Sequence, residues 1–87
     1  MKDEKQINYL DCVFVDYERK TSNLNGKNYI AITVMLNNRT ITLFSKDCSM
    51  EEDLKIINKF ENIKLGYTLT IYNEMLRVIP VSVQLIS

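Results

Sequence analysis

Two aromatic side chains in the middle of the chain have the setting that stacking with a nucleobase requires. Segment 27–36 alternates without error, and Tyr29 lies on its odd-numbered face beside Lys27. In the next strand pattern, Phe44 shares a face with threonines and with Lys46. An exposed ring next to a cation can stack with an unpaired base while the cation neutralises a phosphate. The alternative is that Tyr29 covers a hydrophobic edge, which is the commoner role of a tyrosine in a strand.

Basic residues accompany both rings. The candidate nucleic-acid-binding set consists of two aromatic and five basic residues: Arg19, Lys20, Lys27, Tyr29, Arg39, Phe44 and Lys46. The net charge is zero, from 11 basic and 11 acidic residues, whereas nucleic-acid-binding domains are more often basic. Four acidic residues lie together in segment 47–53, so the rest of the chain is tilted to positive charge.

The residue types that catalysis or metal binding would need are scarce. The chain has no histidine, which removes the usual general base and the usual partner of a zinc-binding cysteine. Cys12 and Cys48 have no CxxC spacing, and two cysteines are too few for a disulfide scaffold. Cys12 alternates with Leu10 and Phe14, which predicts a buried thiol. The carboxylates form no suggestive cluster, so we expect a protein that is not an enzyme and holds no metal or cofactor.

Length and composition indicate one domain that covers residues 1–87. Of the 87 residues, 46% are hydrophobic, which is enough for one globular core. Four of the first six residues are charged, this segment leads directly into a strand pattern, and nothing resembles a secretory signal or a membrane span. We therefore expect a cytoplasmic protein with no membrane association.

Three strand patterns occupy the first half of the chain. Segment 7–17 is apolar on both faces over its middle, with Phe14 and Tyr17 assigned to opposite faces, which predicts a long, strongly curved strand. A turn containing Asn25-Gly26, the strongest hairpin signal in the chain, leads to segment 27–36. There Ile30, Ile32, Val34 and Leu36 are predicted to face the core. A short Asn37-Asn38 turn then makes segment 39–46 the antiparallel neighbour, so that Tyr29 and Phe44 are expected on one sheet surface, with the register between them left open by the sequence.

A helix is predicted over residues 50–62. Ser49 and Glu52 form a capping box, and acidic residues at the start with lysines towards the end suit the helix dipole. Apolar residues recur at helical spacing, namely Met50, Ile56, Ile57, Phe60 and Ile63. The acidic start is interpreted as a helix-end feature rather than as a metal or catalytic site.

Two further strands are predicted after the helix. Segment 67–72 alternates, with Tyr67, Leu69 and Ile71 assigned to the inward face. A turn at 73–75 precedes the last strand, which continues to Leu85. Pro80 interrupts that strand, and because proline cannot donate to a ladder, it predicts a bulge or an edge.

Together these elements predict a mainly β protein of the OB-fold class. This is a five-stranded antiparallel Greek-key barrel with a helix between strands three and four, which here would close the open end of the barrel. The binding face of that fold lies on strands two and three, flanked by the loops that join strands one to two and four to five. In this chain the flanking loops would be residues 18–26 and 73–76.

The segment Gly26-Lys27-Asn28-Tyr29, with Arg19 seven residues before the glycine, is similar to the Gly-Lys-Pro-Tyr segment of filamentous-phage single-stranded DNA-binding (helix-destabilising) proteins. Segment 76–80 resembles their closing Leu-Arg-Leu-Val-Pro. The resemblance implies that Tyr29 lies at a DNA groove, that Arg19 contacts phosphate, and that dimers coat single strands during phage replication. That family has no helix corresponding to residues 50–62, so a more distant phage or mobile-element protein fits better than a close relative.

Two hypotheses about function follow. The first is a sequence-tolerant single-stranded DNA-binding protein of a phage or mobile element that protects DNA during replication, with RNA left open as a ligand and no small-molecule substrate. The second is an OB-fold protein-interaction module or homodimeric accessory protein with no nucleic-acid role. Its apolar contact surface would comprise Tyr9, Val13, Val15, Tyr17 and the tail 81–86.

Overall fold

A computed structural model describes residues 6–86, which form one antiparallel sheet of five strands and one short helix. The elements in chain order are β1 (Asn8–Thr21), β2 (Asn28–Leu36), β3 (Arg39–Phe44), α1 (Glu51–Leu54), β4 (Asn62–Tyr72) and β5 (Met75–Leu85). The predicted mainly β class, five antiparallel strands and a helix between the third and fourth strands are therefore confirmed.

The strand order in the sheet is β3-β2-β1-β4-β5. Strand β1 lies at the centre, because residues 8–13 pair with β4 and residues 13–21 pair with β2. Within residues 6–86, the sheet does not join β3 to β5, so the expected closed barrel is not formed. The two edge strands nevertheless lie close enough to line one cleft of about 160 Å³, formed by residues 42–44 and 77–79.

A β-bulge in β1 reverses the alternation of its side chains. Phe14 is opposite Val34 and Asp16 is opposite Thr33, so Val15 is the extra residue. Beyond the bulge Tyr17 packs against the core on the same side as Phe14. The prediction that Phe14 and Tyr17 lie on opposite faces is wrong for this reason.

The centre of the core is the inward face of β2. Ile30, Ile32 and Val34 are fully buried, as the alternation of this segment predicted. Full burial of each such side chain is worth roughly 1.5–3 kcal/mol. Cys12 also lies in the core, as predicted. The pKa of the Cys12 thiol is raised, mainly by burial and to a smaller extent by the neighbouring negative charge of Asp11.

The helix is much shorter than the predicted range of 50–62: α1 begins at Glu51 and ends at Leu54. After it, the chain pairs with β1: the Phe60 N–H donates to the Phe14 carbonyl at 2.6 Å, and the Phe14 N–H donates to the Glu61 carbonyl at 2.9 Å. These bonds commit the backbone of the segment to β1, so it cannot continue the helical ladder. Phe60 adopts a φ of 69° and its side chain is 65% exposed.

The start of α1 also differs from the prediction. Met50 occupies the N-cap position and, in the part of the chain that is described, no side chain caps the helix. The predicted capping box of Ser49 and Glu52 is therefore wrong. The Ser49 N–H instead donates to the Asp47 carboxylate at 3.0 Å, and hydrogen bonds from Ser49 lower the pKa of Asp47. Met50, Leu54 and Ile57 still join the core.

Strand β4 begins earlier than predicted and ends in an exposed arm. Its pairing with β1 ends at Tyr67, so the residues beyond are paired with β5 alone within the described chain. Leu69 and Ile71, predicted to face inward, are 48% and 74% exposed, whereas Thr68 is buried. The inward assignment fails at the register shift between Gly66 and Tyr67: before it the odd-numbered Ile63 and Leu65 are buried, and after it the even-numbered Thr68 is.

The turns follow the predicted positions. Asn37 and Asn38 have φ values of 53° and 65°, and Asn73 and Glu74 have values of 52° and 64°. Positive φ at both central residues is the mark of the type I′ turn that suits a hairpin. Pro80 lies on edge strand β5 beside a bulge, as predicted. Gly66 of β4 is paired with Ser82 and the next residue, Tyr67, is paired with Pro80, so Val81 is the extra residue of β5.

We predict that Glu74→Gly stabilises the protein. A residue with a Cβ in the left-handed region is strained, and glycine removes that strain, so the free energy of unfolding should rise by about 0.5–1 kcal/mol. Chemical denaturation of the variant measures the change. Glu74→Gln is the control, since it removes the charge and keeps the Cβ; an equal gain in both variants would show that charge, not backbone strain, is responsible.

Candidate nucleic-acid interface

The side of β1, β2 and β3 that faces away from the core is here called the outer face. Its composition follows from the strand register, which places Lys20 beside Tyr29, and Ala31 between Glu18 and Phe44. A third row places Thr33 beside Thr42, whose hydroxyl oxygens are 3.1 Å apart. The outer face comprises Asp16, Glu18, Lys20, Tyr29, Ala31, Thr33, Thr42 and Phe44.

The two predicted stacking residues lie together on this face. The ring centroids of Tyr29 and Phe44 are 5.9 Å apart, and the ring planes meet at 69°, an edge-to-face arrangement. Such pairs are stabilised by the ring quadrupoles, by about 0.5–1.5 kcal/mol beyond burial. Tyr29 is half-buried and supports Phe44, which remains 49% exposed. The expectation that both rings lie on one sheet surface is confirmed, and Phe44 is the more accessible of the two.

Basic side chains from three parts of the chain surround the rings. A cleft of about 370 Å³ is lined by both rings and by Lys27, Lys46 and Arg77. Lys27 ends the β1–β2 loop, Lys46 follows β3, and Arg77 comes from β5 at the other edge of the sheet. We call this site the basic cleft. Serine and asparagine side chains complete its wall, namely Ser22, Asn25, Asn28 and Ser45.

Ser45 fixes the backbone that carries Phe44 into the basic cleft. The Ser45 N–H donates to the Ile30 carbonyl at 2.9 Å, and the Ile30 N–H donates to Ser45 Oγ at 3.0 Å. Ser45 Oγ in turn donates to the Asp47 carbonyl at 2.5 Å. This buried hydroxyl therefore joins β2 to the chain on either side of Lys46, which holds that residue beside the rings.

Two of the predicted basic residues lie away from this group. The bulge at Val15 places Arg19 on the core side, beside Ile30, where it forms an ion pair with Glu51 of α1. The hydrogen bond to Glu51 raises the pKa of Arg19. Arg39 starts β3, five residues before Phe44, which is roughly 17 Å at the usual strand rise. The structure therefore does not bring Arg19 and Arg39 to the rings.

Lys20 has an intermediate position. It lies on the outer face directly beside Tyr29, as the pairing of β1 with β2 requires. Its ammonium nitrogen is also 3.6 Å from a carboxylate oxygen of Glu18. Both side chains are well exposed, so this ion pair is weak and leaves Lys20 available to a phosphate.

Sequence reasoning missed three charged residues. Arg77 follows the predicted flanking loop 73–76 by one position, and that adjacency was the available signal. Asp16 and Glu18 were missed because the bulge moves them to the outer face. Their period-two spacing with Lys20 could have indicated a shared polar face. With Ala31 and Phe44 they line a second cleft of about 430 Å³.

No protein-family model matches the chain, and no curated protein matches it. Among residues 6–86, no group of three or more histidine, cysteine, aspartate or glutamate side chains could hold a metal ion. The same residues contain no helix long and apolar enough to cross a membrane. The interpretation of function therefore depends on the geometry of the outer face.

We predict that Ser45→Ala destabilises the protein. The substitution leaves the buried Ile30 N–H without its acceptor, which should lower the free energy of unfolding by about 1–3 kcal/mol. Urea denaturation measures the loss. Thr40→Ala, which removes an exposed hydroxyl from β3, is the control and should change stability by no more than about 0.5 kcal/mol. Equal losses in the two variants would contradict the anchoring role of Ser45.

Proposed function

We propose that this protein binds single-stranded nucleic acid, with DNA as the first ligand to test, and that it catalyses no reaction. The observation that carries the proposal is the basic cleft. There a half-exposed Phe44, supported by Tyr29, lies among three cations contributed by three separate segments of the chain. An aromatic platform among cations is the arrangement that sequence-tolerant binding of single strands uses.

The connectivity of the sheet supports an OB-type fold as the framework for this function. The order β3-β2-β1-β4-β5, with β3 and β5 facing each other across a cleft, matches a partly open five-stranded Greek-key barrel. In that fold, strands two and three and the adjoining loops bind oligonucleotides or oligosaccharides. The basic cleft occupies this position, since β2, the end of β3 and the loop before β2 contribute to its lining.

The proposed contacts divide into stacking and charge neutralisation. A base stacks on the open side of Phe44, which contributes about 1–3 kcal/mol. Lys27, Lys46 and Arg77 contact phosphates on either side of that base. In the free protein the guanidinium carbon of Arg77 is 5.5 Å from the ring centroid of Tyr72, a contact that it can exchange for a phosphate.

A role in protecting single strands during replication of a phage or mobile element is the biological setting that we propose. It is supported by the resemblance of segments 26–29 and 76–80 to filamentous-phage proteins. Both segments contribute to the basic cleft, through Lys27, Tyr29 and Arg77. The phosphate contact that the resemblance implies for Arg19 is the exception, because Arg19 is paired with Glu51.

A second candidate function, protein interaction or homodimer formation, is favoured by the exposed β4–β5 arm. Its exposed apolar residues are Leu69, Ile71, Tyr72, Met75 and Leu76. The surface predicted from the sequence is only partly available for such contact: Tyr9, Leu85 and Ile86 are exposed, whereas Tyr17 packs against the core. Sedimentation of the protein with and without oligonucleotide distinguishes a dimer that binds DNA from one that does not.

We predict that Phe44→Ala weakens binding to a short oligo-dT by about 5- to 150-fold, the equivalent of one lost stacking contact. Tyr29→Ala should weaken it as well, because Phe44 loses its support. Fluorescence anisotropy of a labelled oligonucleotide measures both effects. Phe60→Ala is the matched control, since Phe60 is an exposed ring (65%, against 49% for Phe44) that lies outside the clefts of the outer face. Unchanged binding by Phe44→Ala would exclude stacking at this site.

We also predict a shallow dependence of binding on salt. Three phosphate contacts on a single strand give a slope of log K against log salt of about −2, and each lost contact reduces its magnitude by about 0.7. Lys27→Gln, Lys46→Gln and Arg77→Gln should each show that reduction. Arg39→Gln is the control and should keep the wild-type slope. If Arg39→Gln reduces the slope as much as the others, binding is spread over the surface and the basic cleft is not the site.

A further inference from the structure

The second cleft on the outer face has features that the proposed stacking and phosphate contacts do not use. Phe44 lines one side of it, Asp16 and Glu18 line the other with Lys20, and Ala31, Thr33 and Thr42 lie between them. We call it the acidic cleft. It holds about 430 Å³ and shares Phe44 with the basic cleft, so a base that reaches Phe44 can enter it.

The register accounts for the open space above Ala31. Glu18, Ala31 and Phe44 form one row across three neighbouring strands, which are about 4.8 Å apart. The row therefore separates Glu18 from Phe44 by roughly 10 Å, two strand spacings. Ala31 projects only a methyl group and is 5% exposed, so it forms the covered floor of the cleft, and a planar ligand between the ring and the carboxylate lies above that floor.

The carboxylates are available to a ligand. Asp16 Oδ1 accepts a hydrogen bond from the Tyr17 N–H at 2.8 Å, which orients the carboxylate at the cleft. Glu18 is paired with Lys20 at 3.6 Å, but the side chains are 71% and 41% exposed, so the pair is easily exchanged. An ionised carboxylate accepts hydrogen bonds and cannot donate them. A ligand group that contacts these two carboxylates must therefore present an N–H or O–H group, whereas the other polar side chains of the cleft, Lys20, Thr33 and Thr42, can donate.

The same carboxylates repel phosphates, which restricts the path of a bound strand. Phosphates are drawn to Lys27, Lys46 and Arg77, and only an uncharged base can approach the acidic side of Phe44. Cytosine, adenine and guanine present exocyclic amino groups, whereas thymine and uracil present only a ring N3–H between two carbonyl oxygens, which a carboxylate repels. Carboxylates are the usual acceptors for the amino group of cytosine.

We infer that the acidic cleft selects a base bearing an exocyclic amino group over thymine or uracil at the position next to Phe44. This selection rests on the proposed nucleic-acid binding and adds one preferred base position to an otherwise sequence-tolerant contact. Glu18 and Asp16 accept from the amino group, and the cleft between these carboxylates and Phe44 provides the space.

The test compares oligo-dC with oligo-dT of equal length at pH 8 and fixed salt, by anisotropy. The wild-type protein should bind oligo-dC about tenfold more tightly, the discrimination expected from one well-placed contact to a base edge. Glu18→Gln should reduce the preference to less than about threefold, mainly by improving binding of oligo-dT, as repulsion of the thymine carbonyl is removed. Ala31→Leu fills the cleft and should abolish the preference even though both carboxylates remain.

Glu52→Gln is the matched control. It removes an exposed carboxylate from α1, away from the outer face, and should keep the tenfold preference. If Glu18→Gln strengthens binding of both oligonucleotides by one common factor, the carboxylate only repels phosphates and the inference is overturned. Equal wild-type binding of oligo-dC and oligo-dT overturns base selection but leaves the proposed function standing, whereas binding of neither oligonucleotide removes the proposed function itself.

Discussion

The extra residue in β1 is the constraint on which the rest of the outer face depends. Without the bulge at Val15, the alternation set by Phe14 would place Tyr17 and Arg19 on the outer face and bury Asp16 and Glu18. With it, Tyr17 adds to the core, Arg19 reaches Glu51 of α1, and the outer face receives two carboxylates. One inserted residue thus determines both how α1 is held and which charges a ligand meets.

The open edge between β3 and β5 is the second determinant of the site. A continuous ladder there would occupy the backbone groups of both strands and would seal the space beside Phe44. Pro80 and the bulge next to it keep β5 from presenting a regular edge, which also limits pairing with another chain. Arg77 therefore reaches the basic cleft from the far edge of the sheet. In this way Arg77, from the last strand, lines the same cleft as Tyr29, from the second strand.

The features that could be predicted from the sequence are those that depend on residues close together in the chain, such as the alternation of a strand or a short turn. The alternation of segment 28–36 and the Asn37-Asn38 turn indicated that Tyr29 and Phe44 share one surface, but the register that pairs Ala31 with Phe44 is known only from the structure. The bulge could not be predicted, since Val13, Phe14 and Val15 are all apolar, so both faces of the strand suit the core at this point. The helix was overestimated because the spacing of Met50, Ile57 and Phe60 satisfies a helical period, whereas hydrogen bonds to Phe14, distant in sequence, decide the backbone.

The zero net charge of the chain is compatible with a charged ligand because the outer face is divided along β1. Lys20 and Asp16 are four residues apart, roughly 13 Å at the rise of a strand. That separation exceeds the screening length of about 8–10 Å at physiological salt. Glu18 lies between them, and its ion pair with Lys20 at 3.6 Å offsets its charge in part. A phosphate at the basic end therefore interacts mainly with Lys27, Lys46 and Arg77, while the acidic end acts on whatever lies against Phe44. What the outer face can bind therefore depends on where the charged side chains lie relative to Phe44, and not on the net charge of the chain.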